Sequence, residues 1–323
     1  MSLATKYRPT ITEEVIGQDN VVSVIEKKLN TNSLPNAIMF TGPSGCGKST
    51  LAKIIAKRLN AYVHELDVAT HNSIEDIKTV CEMTKQKPIG YDNLVIILDE
   101  VHRAGNVNTL QPLLITLENL PKYAYIIMCT TNPEKILATI RNRCEEYKLM
   151  SVASNTLAKR LELICLAEDI SYEKEALKAI ADCSYGSVRQ SIANLEKVAP
   201  LGATLEAVKK LNLRATYDVM LDITYAYLDK NVDELITHIN EIDDMETFVQ
   251  KYFTFVLDME VYFKVRKKDL TNLPSALYNV LDELNNDEQK MIHNLLSKLI
   301  KLQYEGRNSP ILRELLIATI LTI

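Results

Sequence analysis

Gly42-Pro43-Ser44-Gly45-Cys46-Gly47-Lys48-Ser49 is the stretch on which the fold turns. It has the spacing G-x-x-x-x-G-K-[S/T]. A β-rich apolar run at 37–41 leads into it and a helical pattern at 48–59 leads out. Glycine accepts positive φ at little cost, so a backbone built this way wraps closely around a phosphate. Loop N–H groups and the helix N-terminus then supply partial positive charge. Lys48 is placed to reach the β- and γ-phosphates, and the Ser49 hydroxyl to ligate Mg²⁺. A glycine-rich turn without a ligand is the competing reading, and the strand–loop–helix context weighs against it.

Working outward, similar short apolar runs recur at 62–66, 94–98 and 125–129. Their spacing of about 25–35 residues fits parallel strands joined by helical crossovers, and their continuous apolar character fits burial on both faces. The expected fold is an α/β P-loop domain, a parallel sheet with helices on both faces. From about 151 onward the pattern is helical, and after residue 202 the only glycine is Gly306. A small helical lid and an all-α C-terminal domain are therefore expected, with domains at 1–150, 151–212 and 213–323.

Composition sets the outer limits. Hydrophobic residues are 47% and charged residues 24% of the 323, as in an ordinary globular protein. Lys and Arg number 37 against 42 Asp and Glu, a net charge of −5, so a uniformly basic coat is excluded while a local basic face is not. No apolar run is long enough to cross a membrane, and the N-terminus has no apolar signal region. The six cysteines form no C-x-x-C pair, which points to neither a zinc module nor a disulfide framework. A reduced, cytoplasmic setting is expected.

The run 94–98 ends in Asp99-Glu100. At the C-terminal end of a buried strand, Asp99 is placed to hold Mg²⁺ and Glu100 to polarise an attacking water. A solvated acidic turn is the bland alternative. It is weakened by the phosphate loop, because two adjacent carboxylates near a triphosphate need a cation to offset repulsion.

At this point the sequence resembles a known family. Lys6-Tyr7-Arg8-Pro9 followed by Val15-Ile16-Gly17-Gln18 is similar to the N-terminal signature of the AAA+ clamp-loader ATPases. Asp99-Glu100-Val101-His102 resembles the DNA polymerase III gamma/tau form of the acidic box. Cys129-Thr130-Thr131-Asn132-Pro133 and Ile140-Arg141-Asn142-Arg143-Cys144 resemble the sensor 1 and Ser-Arg-Cys segments, and Tyr185-Gly186-Ser187-Val188-Arg189-Gln190 the start of the sensor 2 helix. The resemblance covers about residues 3–200. Asn142 stands where the family has serine, and Leu113-Leu114-Ile115 lacks the arginine usual in replication-factor-C-type subunits. The missing four-cysteine module points away from the gamma/tau subunit itself and toward a bacteriophage-type or otherwise compact clamp-loader ATPase, for which the setting is the cytoplasm, that of the host if it is phage-encoded.

The resemblance implies an ATPase that uses ATP and Mg²⁺ to open a sliding clamp and load it onto primer–template DNA. Its partners are the clamp and the other subunits of a hetero-oligomeric, pentameric ring. Tyr7, Arg8, Pro9, Val15 and Ile16 are implied to line the adenine pocket, and Gly42 through Thr50 (Gly42, Pro43, Ser44, Gly45, Cys46, Gly47, Lys48, Ser49, Thr50) to cradle the phosphates. Thr131 is implied as sensor 1. Arg189 is implied to reach the γ-phosphate of its own chain, which suits a cation in a helix first turn only if an anion is near. Arg143 is implied to enter a neighbouring subunit's site. A helicase loader, a branch-migration motor and a non-hydrolysing stator subunit remain the alternatives.

Other features admit plainer readings. His64, His71 and His102 are too dispersed for a metal site and read as core or surface histidines. Cys46 reads as a small filler whose pKa a helix N-terminus would depress. The turns 70–73 and 104–108 precede helices and are candidates for DNA phosphates. The basic group Lys264, Arg266, Lys267 and Lys268 reads as a solvated helix end. Tyr225, Tyr227, Tyr252, Phe253, Phe255, Tyr262 and Phe263 mark either a ring interface or the C-terminal domain's own core.

Overall fold

The computed structural model describes residues 2–104, 107–184, 186–211, 216–240, 242, 245–267, 270, 271, 273, 275–305 and 311–321. The chain divides into two compact units, Met1–Leu213 and Arg214–Ile323.

The first unit begins with α1 (Leu3–Lys6) and α2 (Asp19–Asn30). An α/β array follows: β1 (Ala37–Thr41), α3 (Lys48–Arg58), β2 (Ala61–Asp67), α4 (Ile74–Met83), β3 (Asn93–Asp99), α5 (Gln111–Glu118), β4 (Ala124–Thr130), α6 (Ala138–Arg141) and β5 (Glu145–Lys148). The strands pair in parallel in the order β2-β3-β4-β1-β5. Strand alternation sorts the core into two layers. Ile38, Phe40, Val95 and Ile97 pack with Ile25 of α2 and Leu51 and Ile55 of α3. Ala37, Met39, Ile96 and Leu98 pack on the other face with Ile77 of α4 and Leu113 of α5. β1 has the loop 42–47 at its C-terminal end, and its neighbour β4 runs in register with it, Thr41 opposite Thr130. β3 lies beside β4 with Leu98 opposite Met128. Thus the phosphate loop, Asp99 and Thr130 leave the same edge of the sheet, where open α/β sheets bind their ligands.

The expected strands are present, β1 with the expected bounds and the other three extended by a residue at each end. β5 was not expected from the sequence. Its run Glu145-Glu146-Tyr147-Lys148 has only Tyr147 buried, an edge pattern whose single apolar anchor meets the Phe40 ring at 5.9 Å.

A helical segment completes the first unit: α7 (Ser154–Ala167), α8 (Lys174–Asp182), α9 (Val188–Val198) and α10 (Leu205–Lys210). It has its own core, including Leu157, Leu161, Ile180 and Leu195, against which Leu3, Tyr7 and Ile16 of the N-terminal arm pack.

The second unit is helical: α11 (Thr216–Leu228), α12 (Val232–Asn240), α13 (Met245–Val265), α14 (Ser275–Glu283), α15 (Asn286–Glu305) and α16 (Leu312–Leu321). Tyr227, Tyr252, Phe255 and Tyr262 are buried in its core, with Phe253 and Phe263 packed against it; only Tyr225, 40% exposed, faces out. Most of the aromatic content of this segment is thus explained by its own packing. In the basic group, Lys264 pairs with Glu260 and Arg266 with Asp282, while Lys268 lies outside the described residues.

Candidate nucleotide site

The loop 42–47 adopts the backbone its glycines permit. Gly42, Gly45 and Gly47 have φ of 140°, 73° and 113°, and Gly47 is the N-cap of α3. A Cβ on Gly42 would lie 2.3 Å from the Leu149 carbonyl oxygen, and one on Gly45 2.0 Å from Ser187 Oγ, while one on Gly47 meets nothing within 4 Å. Gly42→Ala is therefore expected to lower the melting temperature well beyond Gly47→Ala, whose cost is the positive φ alone, about 1–3 kcal/mol. Equal melting shifts for the two variants would show that the Gly42 approach is relieved by backbone movement.

Lys48 is buried and donates from Nζ to the carbonyls of Gly42 and Pro43, both at 2.8 Å. Its ammonium is thereby held inside the loop's curve. Next to it, the Ser49 hydroxyl lies 2.9 and 2.7 Å from the two Asp99 carboxylate oxygens. Hydroxyl and carboxylate together form a set of hard oxygen donors that fits Mg²⁺.

Glu100 is one of the few non-glycine residues with positive φ, at 48°. Its Oε2 lies 3.4 Å from Thr131 Oγ1 and 3.2 Å from His102 Nδ1, and that same nitrogen is 3.0 Å from Thr130 Oγ1. Burial pushes the His102 pKa below the ordinary imidazole value, more than the adjacent Glu100 raises it.

These groups border a cavity of about 470 Å³. Tyr7, Arg8, Pro9, Val15 and Ile16 line it, as do Ser44 through Thr50, Asp99, Glu100 and Arg189. Gly42 and Pro43 stand behind it, holding Lys48, and Thr131 reaches it through Glu100. The N-terminal arm is tied on both sides: Arg8 Nε donates to Thr50 Oγ1 at 3.2 Å, and Arg160 of α7 to the Tyr7 carbonyl at 3.1 Å. Tyr7 and Lys6 both hydrogen-bond Glu168. Val188 N–H donates to the Gly45 carbonyl at 3.0 Å, so the start of α9 is bonded directly to the phosphate loop. Ser187 caps that helix on Gln190, and Arg189 follows in its first turn; Tyr185 lies outside the described residues.

Arg143 does not line this cavity. Its guanidinium pairs with Glu118 of α5, Nε to Oε1 at 2.9 Å, and donates to the Thr139 carbonyl at 2.7 Å. Two plainer readings also change. Burial raises the Cys46 thiol pKa, outweighing the helix N-terminus and Lys48. The turn 70–73 is capped from within: Ser73 and Asp76 form a capping box that places a carboxylate where a DNA phosphate was expected. Gly105 and Asn106 of the other candidate turn lie outside the described residues.

Residues 38–152 match the family described as "ATPase family associated with various cellular activities (AAA)". The likeness is confined to that segment, about a third of the chain. The chain is also homologous to bacterial replication subunits. The DNA polymerase III subunit gamma/tau of Mycoplasma genitalium is 28% identical over 320 residues, spanning 88% of this chain and 52% of that protein. The subunit tau of Bacillus subtilis is 26% identical, over 88% of this chain and 59% of its own length. The chain thus spans about half the length of the curated relatives it matches. Among solved structures, RuvB of Thermotoga maritima superposes with a TM-score of 0.59 at 18% identity, over 83% of this chain and 99% of that one. That likeness concerns the fold. The matched span holds the phosphate loop, Asp99, Glu100, Thr131 and Arg143, whereas the arm residues 7–16 and Arg189 lie outside it. His102, read from the sequence as a core or surface histidine, is buried, and its Nδ1 lies against the Glu100 carboxylate at the edge of the site.

Proposed function

We propose that the chain is the ATP-hydrolysing subunit of a sliding-clamp loader, acting in a hetero-oligomeric pentameric ring on primer–template DNA. The observation that carries this is the convergence on one cavity of the phosphate loop, the Asp99-Glu100 pair, the arm residues 7–16 and Arg189. The homology to gamma/tau subunits over most of the chain supports the clamp-loading part.

In this reading ATP lies with its phosphates in the loop and its base against Tyr7, Val15 and Ile16, which offer an aromatic face and apolar walls. Ser49 and Asp99 would hold Mg²⁺, which would offset phosphate charge. Lys48 turns from the Gly42 and Pro43 carbonyls toward the phosphates, and Glu100 takes a proton from the attacking water. Arg189 neutralises the γ-phosphate from the lid side. Arg143, which serves no group in its own cavity, acts on the neighbour's nucleotide. The domain division at 150 and 212 follows the same plan, with 151–212 as lid and 213–323 as the ring-forming collar.

Hydrolysis by the ring in the presence of clamp and primer–template DNA tests the proposal. Turnover is expected to rise only when both are present. Lys48→Ala is expected to lose tight ATP binding, read by equilibrium titration with a fluorescent ATP analogue, because the main point charge on the phosphates is gone. A wild-type ring that turns over equally without clamp and DNA would sink the clamp-loading reading; undiminished binding by Lys48→Ala would sink the site.

A further inference from the structure

We infer that His102 is a positioning residue that aims the Glu100 carboxylate at the attacking water, an inference that rests on the reading of the chain as an ATP hydrolase. The side chain of His102 is 8% exposed, and its Nδ1 faces two oxygens, Glu100 Oε2 at 3.2 Å and Thr130 Oγ1 at 3.0 Å. An ionised carboxylate has no proton to give, so the contact with Glu100 is attractive only if the proton sits on Nδ1. That tautomer donates to both oxygens at once. Thr130 Oγ1 is fixed in turn, since it also accepts from Asn132 N–H at 3.1 Å. Thr130 ends β4, so the histidine is anchored to the sheet, and through it so is the glutamate.

The geometry gives the carboxylate one direction. His102 and Thr131 both address Oε2, which leaves Oε1 to take the proton of a water. Glu100 needs such support, because its positive φ is a conformation that L side chains rarely adopt and it stands in a turn immediately after β3. Burial lowers the imidazole pKa; Lys135 and Arg103 act in the same direction, Glu100 and Glu134 against it.

Three substitutions in the full chain separate positioning from packing. His102→Phe fills the volume without a donor, His102→Ala removes both, and His102→Asn returns an N–H near the place of Nδ1. Expected for Phe and Ala is a fall in kcat of about 10²-fold at saturating ATP, the scale of a misplaced reacting group, with KM and ATP affinity unchanged. Asn is expected to recover most of the loss. In the Glu100→Gln background, His102→Ala is expected to add almost nothing, since both changes act through one carboxylate. Thermal melting identifies any variant that fails to fold, and the Asn and Phe variants then carry the comparison. Wild-type kcat in His102→Phe, no recovery by Asn, or a full additional loss in the double variant would each overturn the inference. Failure of the parent reading shows itself differently: the wild-type ring, with clamp and primer–template DNA, would then have no Mg²⁺-dependent ATP turnover, which removes both.

Discussion

Glu100→Gln is expected to lower kcat by about 10²–10⁴-fold, the range for loss of a general base, while ATP binds as tightly as before. The amide is nearly isosteric with the carboxylate, and its oxygen still accepts from His102 Nδ1 and Thr131 Oγ1, so the side chain keeps its place. Lys48, Ser49 and Asp99 are untouched, so the phosphate cradle and the donor set for Mg²⁺ remain. What disappears is the capacity to take a proton from water. Steady-state hydrolysis alongside equilibrium ATP binding checks this. A Gln variant that hydrolyses at the wild-type rate would assign the base elsewhere.

The second large effect is expected from Arg143→Ala: a fall in ring hydrolysis of about 10³–10⁵-fold, the worth of an arginine finger in well-measured nucleotide hydrolases. A guanidinium suits the role because it is permanently charged and spreads that charge over a planar fork. In the free chain this fork is occupied by Glu118 and the Thr139 carbonyl and lies away from the chain's own cavity. ATP affinity of the isolated variant is therefore expected to match wild type. Mixing tests the direction of action. Arg143→Ala subunits have intact pockets, and Glu100→Gln subunits have intact fingers, so mixed interfaces of the right order should regain turnover. Mixed rings, verified by mass, that stay inactive at every ratio would remove the trans role. Loss of ATP binding by the isolated Arg143→Ala chain would instead place the arginine in its own pocket.

Much of this was legible in the residues, and the parts that were not share a physical cause. The strands at 37–41, 94–98 and 125–129 announce themselves because both faces are buried, so nearly every position is apolar. β5 stays silent because an edge strand with water on one side buries one side chain in four, Tyr147. The phosphate loop is legible because its glycines answer a backbone demand that no other residue meets cheaply. His102 is not, because its role depends on Thr130 lying on the neighbouring strand, a register that no local pattern records. The aromatics of the second unit left two readings open. Core and interface ask for the same large apolar rings, and only burial of Tyr252, Phe255 and Tyr262 in one cluster distinguishes them. The Cys46 thiol repeats the point for charge: proximity to a helix N-terminus is visible in sequence, desolvation is not.

The bond from Val188 N–H to the Gly45 carbonyl makes α9 a lever whose fulcrum is the phosphate loop. An 11-residue helix is about 16 Å long, so a tilt of about 10° at the bonded end carries the far end about 3 Å. Any reshaping of the loop around a phosphate would thereby be felt several ångströms away, near Val198. Gly45 makes the close approach possible, since a Cβ there would lie 2.0 Å from Ser187 Oγ.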